Sequence, residues 1–226
     1  MSGKQLRRMD STCRNQASSS SGATASLGVP SSACLKIPLS RRLLLWRHLQ
    51  FWTLAVVGCS ADLGTKQWAF SAPGLRGGAV WWLWEGHAGF QQSLNEGALF
   101  GLGQGQVGWF ALFSLLALIA IPLWLFRFGA ARDRWLMMTL GCIVGGILGN
   151  LYDRLGWHGL RWEQFIPART GPVYAVRDWI LWCWDFDKGQ VWPNFNIADS
   201  LLVCGAVSLV LHAYWGSEQK AESRGE

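Results

Sequence analysis

Three stretches of this chain, Val107–Phe126, Trp135–Tyr152 and Ser200–Ser217, carry no charged residue over close to the length that crosses a hydrocarbon core, about 20 residues. Backbone amides in lipid have no water to bond to, so such runs must satisfy their own hydrogen bonds as helices. A fourth apolar run, Leu43–Phe70, is interrupted by Arg47, Asp62 and Lys66 and is the least regular of the set. Half of the 226 residues are apolar and only 15% are charged, which is not the balance of a soluble domain. The chain reads as an all-α membrane protein with four transmembrane helices.

Charge placement orients the spans. Lys4, Arg7, Arg8, Arg14, Lys36, Arg41, Arg42 and Arg47 precede or open the first run. Arg127, Arg132 and Arg134 follow the second, and Lys220 and Arg224 follow the fourth. Cations on the same side of alternate spans place both termini in the cytoplasm. The net charge of +6 is thereby explained without nucleic acid. The two remaining connections, roughly 71–106 and 155–197, then face outward. Residues 1–40 are rich in Ser, Gly and Ala, lack the apolar mass to fold alone and read as a disordered cytoplasmic tail. Residues 41–217 read as the four-span unit, and 218–226 as a second cytoplasmic tail.

The six cysteines show no metal spacing and read as small buried hydrophobes. The four histidines are isolated, with no H-E-x-x-H and no pair at helical spacing, so neither a metal nor another cofactor is expected. "GLGQGQVG" lacks the strand–helix setting and the Lys-Ser/Thr of a phosphate loop. The Trp-rich first outer connection, "WWLWEGHAGFQQSLNEGALFGLGQG", suits short strands lying at the membrane surface.

Polar residues collect at the outer helix ends. Gly141, Gly145 and Gly149 recur every four residues and make a smooth face for a second backbone. They do not account for the neighbouring Asn150, Asp153 and Arg154, which project to overlapping faces. Asp62 and Lys66 form an i,i+4 pair of opposite sign and read as structural. Asn95 and Gly97 make a further polar point beside a span. At the mouth of the last apolar run stand Asn194, Asn196 and Asp199, with Asn194 reading as a turn residue of no assigned role. Among the acids of the second outer loop, Asp178 lies between Val176, Trp179 and Ile180, and apolar neighbours raise a carboxyl pKa. If Asp178 and Asp199 face each other, the two cannot both ionise, and one ionised plus one protonated carboxyl can activate water on a carbonyl. Asn196 would then orient a carboxylate or substrate backbone, and Arg154 would hold a carbonyl or lipid ester.

"DLGTK" (62–66), "NEGALFG" (95–101), "GGILGNLYDRLG" (145–156), "VRDWI" (176–180) and "PNFNIADSLLVCGA" (193–206), in this order, resemble the lipoprotein signal peptidase (signal peptidase II) family. The resemblance covers the chain from about residue 43 onward. It implies an aspartyl endopeptidase of the bacterial inner membrane, with four helices, a small extracytoplasmic β-element and an active site at the outer face. Implied substrates are prolipoproteins with a diacylglyceryl-modified Cys, cut just before that Cys, beside membrane lipid and by a monomer. The family's catalytic acids fall on Asp178 and Asp199. Its supporting positions fall on Asn95, Asn150, Asp153, Arg154 and Asn196, with Asp62 and Lys66 in the first helix. The family's D-F pair is Asp178-Trp179 here, while a literal D-F stands at Asp185-Phe186. Asp178 is preferred because its apolar flanks match and Asp185 falls too close to the N-x-A-D motif. Residues 155–175 make a longer connection than is usual in the family. A transporter or channel, with Asp62, Lys66, Asp153, Arg154 and Asp199 along a polar path, is the alternative from another class. A second is that "VVGC" (56–59) is itself a lipobox.

Overall fold

The structure is a computed structural model that describes residues 41–97 and 103–224; the tail expected over 1–40 and part of the "NEGALFG" motif lie outside the described residues. Four long helices follow one another: α1 (Arg41–Ser71), α2 (Val107–Pro122), α3 (Arg134–Arg154) and α4 (Ile197–Arg224). Three are long and apolar enough to cross a membrane, namely Val107–Arg127, Arg134–Arg154 and Ile197–Glu218. These coincide with the three uncharged runs. α1 is the longest, at 31 residues, and buries Asp62 and Lys66 inside the protein.

α3 is the axis of the bundle. It packs against α1, α2 and α4 and buries Met137, Leu140, Val144 and Leu151. Its start is fixed by Asp133, whose carboxylate accepts the Leu136 amide at 3.0 Å, an ordinary N-cap. The four-residue glycine spacing acts as its geometry predicts. A Cβ built on Gly145 would stand 2.8 Å from the Ala55 carbonyl oxygen of α1, and one on Gly149 would collide with the Asp62 carboxylate. Bare backbone at these two positions is what lets α1 approach and brings its charges level with Asn150. On α2 and α4 the large side chains point outward instead, among them Phe113, Leu116, Ile119, Val203, Val207 and Val210. Inside a membrane that outward face meets lipid tails, so its exposure is the expected condition.

The connections between α1 and α2 and between α3 and α4 each fold into a hairpin: β1 (Val80–Trp84) with β2 (Ala88–Asn95), and β3 (Val176–Asp185) with β4 (Gln190–Phe195). They join through β2 and β3 into one antiparallel sheet of order β1-β2-β3-β4, with Ser93 opposite Asp178 and Asn95 opposite Val176. Strands were expected in the first connection. The second also forms strands, so Asp178 sits on β3 and not in a loop. Its segment "VRDWILWCW" is β-branched and aromatic, and pairing with β2 gives the backbone around Asp178 partners that a buried loop would lack. Asn194 also departs from its reading as a turn residue. It lies on β4, and its amide donates to the Gln91 backbone carbonyl at 3.3 Å and side-chain oxygen at 3.2 Å, tying β4 to β2.

Gly145→Val is expected to wedge α1 from α3 and lower stability by about 1–3 kcal/mol. Gly64→Ala, on an α1 face with nothing within 4 Å, serves as the control. Thermal unfolding in detergent separates the two, and equal midpoints for both variants would contradict the close packing.

Candidate active site

The junction between α4 and the sheet is built by one asparagine. Asn196 stands between the end of β4 and the first residue of α4, where its side-chain oxygen accepts the Asp199 amide at 2.9 Å. Asp199 Oδ2 in turn accepts the Asn196 backbone N–H at 3.2 Å. The two residues thus form a reciprocal capping box on the first turn of α4. With its oxygen committed to the cap, Asn196 presents its amide hydrogens elsewhere. They reach Asp178 Oδ1 at 2.6 Å and Asn150 Oδ1 at 3.3 Å. The fully buried Asn196 therefore contacts both acids, Asp178 through its side-chain amide and the Asp199 carboxylate through its backbone N–H.

Asn150 repeats the pattern from α3. Its oxygen receives the Lys66 ammonium at 2.9 Å, so its amide hydrogens must face the other way, where they donate to Asp199 Oδ1 at 2.8 Å. Asn95, at the end of β2, donates to Asp178 Oδ2 at 3.2 Å. Its own oxygen accepts the Gly97 amide at 2.9 Å and closes a tight turn over 95–97. Arg154 reaches that turn from α3, donating to the Gly97 carbonyl at 3.3 Å with its guanidinium 5.4 Å from the Phe110 ring of α2.

Asp178 is 1% exposed. Burial first, and then the charge of Asp199, push its carboxyl up to about 8, against the smaller pull of the Asn196 and Asn95 amides and of Lys66. A carboxyl raised to about 8 holds its proton through neutral pH. Asp185 is in the opposite situation. It lies seven residues further along β3, roughly 23 Å of strand away. There it binds Lys188 at 2.6 Å in its own hairpin turn, and that contact holds its carboxyl below the usual range.

Behind the acids lies a buried ionic layer. Lys66 contacts Asp62 at 2.7 Å and Asp153 at 3.2 Å, and Asp153 binds the Arg177 guanidinium at 2.8 Å. Asp62 also accepts the Ala198 amide at 2.9 Å, placing an anion at the positive end of α4. Asp62 and Lys66 form the ion pair that their spacing indicates, and neither has a hydrogen bond to Asp178 or Asp199. Asn150, Asp153 and Arg154 do not act as one group. Asp153 joins the ionic layer, Asn150 spans the layer and Asp199, and Arg154 turns away to Gly97.

Arg177 was overlooked in the sequence. Its signal is charge balance: Asp62 and Asp153 against Lys66 alone leave one buried negative charge, which demands a second cation. Among the described residues no three His, Cys, Asp or Glu side chains gather at metal-binding distances.

The family model for signal peptidase (SPase) II matches residues 54–215. The chain belongs to the signal peptidase II family. It is therefore an aspartic-type protease, and it is embedded in a membrane. A lipoprotein signal peptidase of Rhodopirellula baltica is 47% identical over 169 residues, covering 74% of this chain and 73% of that one. One from Rhodococcus jostii is 31% identical over 180 residues, covering 79% of each. A solved bacterial membrane enzyme shares the fold at a TM-score of 0.59 and 22% identity, over 74% of this signal peptidase II family member and 89% of the solved chain.

Removing Lys66 leaves two buried carboxylates to one guanidinium. Lys66→Met is expected to lose about 3–5 kcal/mol. Lys66→Met combined with Asp62→Asn, which restores neutrality, is expected to recover part of the loss in a thermal or denaturant melt. A double variant no more stable than Lys66→Met would show that charge balance is not the source.

Proposed function

We propose that Asp178 and Asp199 are the catalytic dyad of a peptidase that removes signal peptides from prolipoproteins, cutting just before the lipidated Cys. Supporting this reading above all is Asn196, which donates to the Asp178 carboxyl from its side chain and to the Asp199 carboxyl from its backbone N–H in one buried site. The ionised carboxylate takes a proton from water, and the resulting hydroxide adds to the scissile carbonyl carbon. The protonated carboxyl gives its proton to the carbonyl oxygen. When the tetrahedral gem-diol collapses, the C–N bond breaks, the carboxyl that took the water proton passes it to the departing amine, and one diol hydroxyl returns its proton to the other carboxylate, leaving a carboxylic acid product. Asn95, Asn150 and Asn196 hold the two acids, and Arg154 with the 95–97 turn offers the substrate a cation and a backbone edge. Asp62, Lys66 and Asp153 serve as scaffold.

The four long helices are taken as four spans, within a peptidase unit of residues 41–217. Both termini are cytoplasmic, and the sheet lies at the outer face. The acids then stand where α4 meets the sheet, a level that both water and the lipid-bearing end of a substrate can reach. The enzyme is taken to act as a monomer, in contact with membrane lipid, on diacylglyceryl-modified substrates.

Purified protein is expected to cleave a diacylglyceryl-modified prolipoprotein, whereas Asp178→Asn and Asp199→Asn each lose at least about a thousandfold in rate. Asp185→Asn is expected to retain activity. Full activity in Asp178→Asn with loss in Asp185→Asn would transfer the role to the other acid. The raised Asp178 value sets the pH dependence. Below about 8 Asp178 keeps its proton, and above it Asp178 ionises and the acid is lost, so the rate should fall as pH rises through about 8. A chelator is expected to leave the rate unchanged, since the dyad activates water itself.

A further inference from the structure

The connection from Leu155 to Ala175 carries a feature that the dyad leaves unexplained. It has a small core of its own, in which Trp162, Val173 and Ala175 pack against Leu94 and Leu160. Arg161 and Pro172 pair as an isolated bridge that closes its base. From its tip Arg169 extends over the Trp162 ring, with the guanidinium carbon 3.5 Å from the ring centroid. The same guanidinium binds Glu96 through two parallel bonds of 2.9 and 2.6 Å. This fork holds both charges in one geometry and stacks the cation on an aromatic face, an arrangement that a lysine would not reproduce.

The location of Glu96 gives this contact its meaning. It is the middle residue of the 95–97 turn. Asn95 on one side donates to Asp178, and Gly97 on the other accepts from Arg154. Leu94, the next residue back, lies against the Trp162 core, so the connection grips this turn at two adjacent points. We infer that Arg169 is a positioning residue, which through Glu96 and the stacked Trp162 holds the 95–97 turn so that the Asn95 amide stays on Asp178. The inference rests on the Asp178–Asp199 reading of the site. Other ion pairs of the same connection do not touch that turn: Arg161 binds Glu163, an exposed contact confined to the loop.

The structure places a consequence on the acid itself. The Asn95 bond favours the ionised form of Asp178, so releasing the turn removes that help and leaves burial and Asp199 less opposed. The Asp178 proton is then held more tightly. Loss of Arg169 should therefore move the alkaline limb of the pH–rate profile upward, while a variant that is only less well folded would lose rate equally at every pH.

The experiment compares full-length wild type, Arg169→Ala, Asn95→Ala, their double variant and Arg161→Ala, all assayed on one lipid-modified prolipoprotein across pH. Arg169→Ala is expected to lower kcat/KM by roughly fivefold, about the rate equivalent of one hydrogen bond. Its alkaline limb should rise by about half a unit to one unit, in the direction shown by Asn95→Ala. The double variant should resemble Asn95→Ala alone, because both changes remove the same contact. Arg161→Ala should match wild type. Glu96→Gln, which keeps the shape and removes the charge, should shift the limb in the same sense as Arg169→Ala. An unmoved limb in Arg169→Ala, or additive losses in the double variant, would overturn the inference. Inactivity of the wild type would count instead against the function proposed above.

Discussion

The end of the helix bundle that meets the sheet is arranged around one ammonium group. Lys66 has three donors, and the structure supplies three acceptors: Asp62 at 2.7 Å, Asn150 at 2.9 Å and Asp153 at 3.2 Å. An isolated buried charge would cost far more than a domain can supply, and even a single buried pair is a doubtful gain. Here the penalty is limited because Arg177 completes a neutral set of two acids and two bases, with every member fully or almost fully buried. The members come from α1, α3 and β3. Neutrality can be reached only when those three segments meet, so the ionic layer acts as a registration mark for helices whose lipid-facing sides specify no depth of their own.

The site inherits its order from that layer. Asn150 is forced by Lys66 to show its amide hydrogens to Asp199, and Asn196 is forced by its capping role to show its own to Asp178. Neither amide can flip without losing a bond to a buried partner. Two acids whose charges repel are thereby held together by donors that cannot turn away. That repulsion, after burial, is one cause of the raised Asp178 carboxyl.

The sequence disclosed the helices because the constraint on them is local. Val107–Phe126 or Ser200–Ser217 can form no other spanning structure. The glycine face of α3 was legible for the same reason, since i,i+4 spacing is a property of one segment. The capping box of Asn196 and Asp199 is also written in a local N-x-x-D pattern. The joining of β2 to β3 was different. It pairs residues more than eighty positions apart, and neither hairpin alone indicates the other. Arg177 was missed on similar grounds. Its partner lies on α3, and only the charge count over three segments calls for it.

Arg177 and Asp178 show why adjacency in sequence misleads here. On a helix or in a loop, a neighbouring arginine would read as the counter-ion of the aspartate. On a strand, successive side chains point to opposite faces. Arg177 leaves on one side to bind Asp153 with its guanidinium and, through its backbone N–H, accepts no freedom to slide: that amide donates to the same carboxylate at 2.9 Å. Asp178 leaves on the other side, toward Asn95 and Asn196. One residue pins the strand to the bundle and the next delivers the acid, so the cation that fixes Asp178 in place never neutralises it by direct contact. In the proposed dyad that separation keeps Asp178 able to hold a proton, because a bound guanidinium would hold it ionised.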